Sequence, residues 1–117
     1  MPPNDGRAET VLFIECLNAY GSRDWPAAID HISHLIETYP DGKYIERAYF
    51  LLAKSYDQLY PESNPLNFNE VINRYEKAIH QFPSSVYVLD ALLCIGNRYL
   101  ESNNYLEAVG YYNLILK

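Results

Sequence analysis

The sequence repeats itself, and this restricts the fold more than any local propensity does. Shifted by 43 residues, Tyr39-Pro40 falls on Phe82-Pro83, Tyr44 on Tyr87, Ala48 on Ala91, Leu52 on Ile95, Ala53 on Gly96 and Tyr56 on Tyr99. A third register aligns Trp25, Phe68 and Tyr105. Equal offsets then give Ala28, Val71 and Ala108; Ile29, Ile72 and Val109; Ile32, Tyr75 and Tyr112; and Leu35, Ala78 and Ile115. One structural unit is therefore used three times. Trp25 and Phe68 are 43 residues apart but Phe68 and Tyr105 only 37, so the first interval carries six extra residues. They fall at Pro61-Glu62-Ser63-Asn64-Pro65-Leu66, a breaker-rich stretch that predicts an enlarged turn.

Within each unit the apolar positions recur at offsets of 3, 4, 7, 10 and 11, the spacing of one helical face. Helices are predicted over Trp25 to Glu37, Phe68 to Gln81 and Tyr105 to Leu116. Each is preceded by another, over Glu9 to Tyr20, Tyr44 to Leu59 and Val86 to Glu101. Gly21-Ser22-Arg23-Asp24 and Ser102-Asn103-Asn104 have the length of turns between antiparallel helices, and Pro40 and Pro83 cannot continue the helices before them. No alternating run competes as a strand. The fold class is all-α.

Composition removes several functions. Nine Lys plus Arg against 15 Asp plus Glu leave a net charge of −6, with no basic cluster to follow a phosphate backbone, so nucleic acid is not an expected partner. No 18-residue apolar run exists, so this chain is not expected to insert into a membrane. Cys16 and Cys94, each in an apolar run, read as buried free thiols and leave the redox compartment open. His31 and His34, three apart with Asp30 and Glu37 nearby, have a metal-compatible spacing but read as polar residues of a solvated helix face. With dispersed glycines and no nucleophile motif, neither an enzyme nor a cofactor is expected.

The residues carry a family resemblance. Ala53, Tyr56, Phe68, Val71, Tyr75, Ala78 and Pro83 in the second copy resemble the tetratricopeptide repeat, as do Gly96, Tyr99, Tyr105, Ala108, Tyr112 and Ile115 in the third. Cys16, Ala19, Trp25, Ala28, Ile32, Leu35 and Pro40 give the first copy, looser in its first helix. The resemblance implies a right-handed α-solenoid of three helix hairpins, with units at about 9–40, 44–83 and 86–117 after a tail over 1–8. The linkers Tyr39 to Ala48 and Phe82 to Ala91 lengthen the repeat by about three residues beyond the common 34. This is similar to repeats of bacterial cell-envelope proteins, such as the lipoprotein of the outer-membrane β-barrel assembly complex and the periplasmic coordinator of cell-wall division. Elongated repeats also occur in cytoplasmic bacterial proteins, so periplasm and cytoplasm both stay open.

The same resemblance implies that the first helices line a concave face. By position that face holds Thr10, Phe13, Leu17 and Tyr20; Arg47, Phe50, Lys54, Asp57 and Gln58; and Asp90, Leu93, Asn97, Leu100 and Glu101. Phe13 and Leu17 stand where a chaperone-type carboxylate clamp has Lys and Asn, so that clamp is not expected. A protein or peptide with apolar anchors fits better: Phe13, Leu17, Phe50, Leu93 and Leu100 would receive the anchors, and Arg47 or Lys54 would orient an acidic group. The chain ends at Leu114-Ile115-Leu116-Lys117, inside an apolar face, which suggests a segment of a longer repeat protein and an edge that favours homo-oligomers. Two functions remain: a non-enzymatic scaffold in a bacterial envelope complex, or a structural and oligomerisation module regulating a fused enzymatic or membrane domain.

Overall fold

In the computed structural model, which describes residues 6–61 and 64–117, six helices follow one another. They are α1 (Arg7–Gly21), α2 (Trp25–Thr38), α3 (Ile45–Leu59), α4 (Pro65–Gln81), α5 (Val88–Glu101) and α6 (Tyr105–Leu116). No strand occurs among the described residues. Helix α1 begins two residues before the predicted start, so Arg7 and Ala8 belong to it and not to a tail.

Local chemistry sets the boundaries. Asp24 caps α2 by accepting the Ala27 N–H at 3.3 Å, and Asn64 caps α4 by accepting from Leu66 at 3.0 Å and Asn67 at 3.5 Å. Pro65 opens α4, where its missing N–H costs nothing. The six-residue insertion is therefore not wholly a turn. Asn64, Pro65 and Leu66 give α4 its cap and an extra first turn, while Glu62 and Ser63 lie outside the described residues. Arg23 and Asn103, equivalent in the repeat register, take left-handed φ values of 59° and 65°. These let Asp24 N–H reach Ala19 O at 3.1 Å and Asn104 N–H reach Tyr99 O at 2.8 Å, reversing the chain in four residues.

The hairpins stack into a body of 54 × 30 × 20 Å. Its radius of gyration of 15.3 Å exceeds the roughly 13 Å of a compact chain of this length. Two apolar clusters run through it. One joins α1, α2 and α3 around Cys16, Ala28, Ile32, Leu35, Ala48 and Leu52; the other joins α3, α4 and α5 around Ala53, Val71, Tyr75, Ala78, Ala91 and Ile95. Small residues sit where helix backbones approach. At Gly96 the ring of Tyr112 lies 2.6 Å from where a Cβ would stand, so α5 and α6 touch through a position with no room for alanine.

Several tyrosines act between hairpins. Tyr44 stacks on Phe13 with centroids 4.2 Å apart, and Phe68 meets Tyr99 edge-on at 5.1 Å. Tyr20, Tyr60 and Tyr111 occupy no recurrent register position, yet each has a place: Tyr20 meets Trp25 at 5.2 Å, Tyr60 lies beside Tyr56, and Tyr111 stacks on Tyr99 at 5.5 Å. Because Ala53 is wholly buried between α3 and its neighbours, Ala53→Leu should cost about 1–3 kcal/mol by overpacking, measured as a lower urea midpoint with an unchanged slope.

Candidate functional site

The face shared by α1, α3 and α5 carries two adjoining cavities. The first, about 340 Å3, is bounded by Tyr20 of α1, by Arg47, Phe50, Leu51 and Lys54 of α3, by Tyr87, Asp90 and Ala91 at the start of α5, and by Tyr75, which reaches in from α4. The second, about 250 Å3, lies between the C-terminal halves of α3 and α5 and is lined by Asp57, Gln58, Pro61, Cys94, Asn97, Arg98 and Glu101. The helical period turns Arg47, Lys54 and Asp57 of α3 to the same side as Asp90, Asn97 and Glu101 of α5.

Nine of the fourteen residues placed on this face by register line these cavities: Tyr20, Arg47, Phe50, Lys54, Asp57, Gln58, Asp90, Asn97 and Glu101. Phe13 does not. It is 4% exposed, sandwiched by Tyr44 on one contact and the Arg47 guanidinium, 5.3 Å from its ring, on another. Leu17 packs against the first core cluster. Leu93 and Leu100 are exposed on α5 but line neither cavity. Phe50 is itself almost fully buried and forms floor, not rim. Thr10 shares a 3.0 Å hydrogen bond with the Tyr44 hydroxyl and is committed there. Cys16 is buried, its thiol pushed up to about 11 by burial and by Glu15, whereas Cys94 is only half-buried and opens on the second cavity.

The charges of the cleft are unequal. Lys54 Nζ holds Asp90 Oδ2 at 2.7 Å, and although burial opposes its charge, that bond and the attraction of Asp90 lift the ammonium above its ordinary value. Lys54 is therefore occupied. Arg47 is exposed, and among the described residues its only charge-related contact is with the Phe13 ring. His31, on the opposite side of the stack, lies 3.9 Å from Glu15, and no three His, Cys, Asp or Glu residues converge as metal ligands among the described residues.

Beneath the floor lies a group of polar contacts that register alone did not indicate. Tyr75 donates its hydroxyl to Asp57 Oδ2 at 2.7 Å; Arg98 Nη2 donates to Tyr60 O at 2.5 Å; and Arg98 Nε stands 3.4 Å from Asp57 Oδ1 without a hydrogen bond. The Arg98 side chain is 7% exposed. Burial raises the Asp57 carboxyl above its ordinary value, outweighing the Tyr75 hydrogen bond and the attraction of Arg98 and Lys54. The Tyr75 phenol is pushed far up by burial and by Asp57, so it stays a donor. One signal in the sequence pointed here: Arg98 occupies the position of Ser55 and Asn18 in the other copies, a long cation at a buried site.

The raised carboxyl has a signed consequence. Folded Asp57 binds its proton more tightly than unfolded Asp57, so its contribution is most favourable below the ordinary carboxylate value of about 3.9 and is lost as pH rises through the folded value. The stability difference between wild type and Asp57→Asn, followed by urea unfolding across the acid range, should shift against the wild type with rising pH. A pH-independent difference contradicts the assignment.

No described helix is long and apolar enough to cross a membrane. No curated protein sequence matches the chain. Residues 3–112 match the family model YfiO, whose description is outer membrane lipoprotein. The match spans nearly the whole sequence and the six helices stack in the manner of tetratricopeptide hairpins, so the chain belongs to the YfiO family of outer membrane lipoproteins.

Proposed function

We propose that the chain is a non-enzymatic scaffold of a bacterial outer-membrane assembly, and that its α1–α3–α5 face binds a segment of a partner protein. One observation carries this reading. A cleft floored by Phe50, Leu51, Tyr75 and Ala91 is bordered by Arg47, whose guanidinium has no carboxylate partner among the described residues. Such a site suits an apolar side chain followed by an acidic group, since the anchor gains burial and the acid meets an exposed cation at the edge. Arg47 serves this role and Lys54 does not, because Asp90 already neutralises it. The family description supports the cell-envelope setting, and the pairing of Lys54 with Asp90 and of Asp57 with Arg98, which leaves these charges engaged within the protein, supports binding over catalysis.

A photo-crosslinking residue placed at Gln58, on the cleft side, should trap a discrete envelope partner in cells, while the same residue at Lys77 on the back of the stack should not. With that partner purified, Arg47→Glu should weaken binding about tenfold or more. Trapping only from Lys77 contradicts the reading.

A second reading, an oligomerisation module, has its own observation. Val109 and Leu116 of α6 are 54% and 82% exposed, whereas their register equivalents Ile72 and Ile79 pack into the second core cluster. If α6 pairs with another copy, light scattering should give a dimer that Val109→Lys with Leu116→Lys returns to a monomer. A monomeric wild type removes this reading.

A further inference from the structure

The groove between α3 and α5 is neutral in its middle and charged at its ends. The two helices run in the same direction, since Lys54 of α3 meets Asp90 of α5 at 2.7 Å and, further along both, Asp57 lies 3.4 Å from Arg98. These four charges neutralise one another. Two remain: Arg47, near the start of α3 at the first cavity, and Glu101, at the end of α5 at the second. Both are exposed, and neither has an ion pair among the described residues. About 16 Å of helix separates Arg47 from Gln58, which borders the second cavity together with Glu101. The repeat does not impose this pattern, because in the groove between α1 and α3 the places of Arg47, Lys54 and Glu101 are held by Thr10, Leu17 and Gln58, none of them charged. Arg23, the other cation near that end, lies on the α1 side of Gln58, in a separate cavity with Trp25.

We infer that this groove selects the direction of its occupant: it takes a segment that sets an acid and its apolar anchor at the Arg47 end and a base at the Glu101 end. The inference rests on the cleft reading above and adds the second charge and the order. Exposed pairs at a rim contribute little affinity each. A segment laid the other way, however, places like charge on like at both ends, so the two residues decide orientation and partner class more than tightness. The ion pairs in the middle express no preference, since each cation there already has its carboxylate. The second cavity suits a base better than a second anchor: its Pro61 and Cys94 offer apolar surface to an aliphatic stem, while Asn97, Gln58 and Glu101 surround the head with acceptors. An acid is not expected there, because the one cation of that cavity, Arg98, is buried and already held by Tyr60 O and Asp57.

A separation of about 16 Å corresponds to roughly five residues of extended chain or eleven of helix, so a phage-displayed library of random peptides of about twelve residues covers both. Panned on the full chain, it should enrich peptides with an acid, an apolar residue and a base. An enriched peptide and a twin with its acid and base exchanged then give the test. The wild type should bind the twin about tenfold more weakly, and the double variant Arg47→Glu with Glu101→Lys should reverse that preference. Both side chains are exposed, and Glu101→Lys places a cation at a helix C-terminus, where it is favoured, so the variant keeps the fold. Equal binding of peptide and twin by the wild type, or a preference that the double variant does not reverse, overturns the direction. If those peptides still bind Arg47→Glu about tenfold more weakly, the cleft reading stands without it. No enrichment, or peptides indifferent to Arg47→Glu, overturns both.

Discussion

Close approach of helix backbones at a few small residues is the constraint on which the rest of the structure depends. Ala28, Ala48, Ala53, Ala78, Ala91, Gly96 and Ala108 are all buried at helix contacts. Each lets the neighbouring helix come near enough for its large side chains to fill the remaining space, as Tyr112 does over Gly96. Because the small positions recur with the repeat, so do the contacts, and the hairpins stack in one direction instead of collapsing into a rounder bundle. The cleft follows from this stacking: α1, α3 and α5 arrive on one side by alternation alone.

Repetition also makes the deviations readable. A linker glycine at Gly42 leaves room for Glu9, whose carboxylate would lie 2.1 Å from a Cβ there and which accepts the Lys43 N–H at 2.9 Å. The buried acid thus fixes the first linker onto α1. At the second linker Ser85 instead donates to Glu46 at 2.9 Å and accepts the Tyr87 N–H at 3.1 Å. Glu9 and Glu46 stand 37 residues apart at the same register position, so the repeat specifies the carboxylate, while the donor it meets differs: a backbone N–H at the first linker and a serine hydroxyl at the second.

Helix number, hairpin order and the small residues were legible in the sequence because each appears three times at fixed spacing, and a period is robust to single substitutions. Depth was less legible. Phe13 and Phe50 were assigned to a binding face by register, yet both are almost fully buried, because Tyr44 and Arg47 cover the first and the second sinks between α3 and α5. Register gives the side of a helix and not what the neighbouring linker lays over it. The enlarged turn was misjudged for a related reason: Asn64-Pro65 is a breaker pair, but it is also a cap followed by a first-turn proline, and only the preceding chain path decides between them. The Asp57–Tyr75–Arg98 group was hidden because its members come from three helices, each unremarkable alone.

The two ends of the stack differ in the same physical terms. On the outer side of α1, Glu15 and Asn18 occupy the positions of Leu52 and Ser55 in the second hairpin, so exposed Val11 and Ile14 are interspersed with polar groups. Helix α6 has no comparable substitution: Leu106, Val109, Leu114 and Leu116 are all exposed, and its mean composition is the most apolar of the six. A repeat face turned polar no longer rewards the approach of another hairpin, whereas one left apolar still does. The stack is therefore directional in its chemistry as well as its order: α1 turns a face of mixed polar and apolar residues outward, and α6 turns an apolar one.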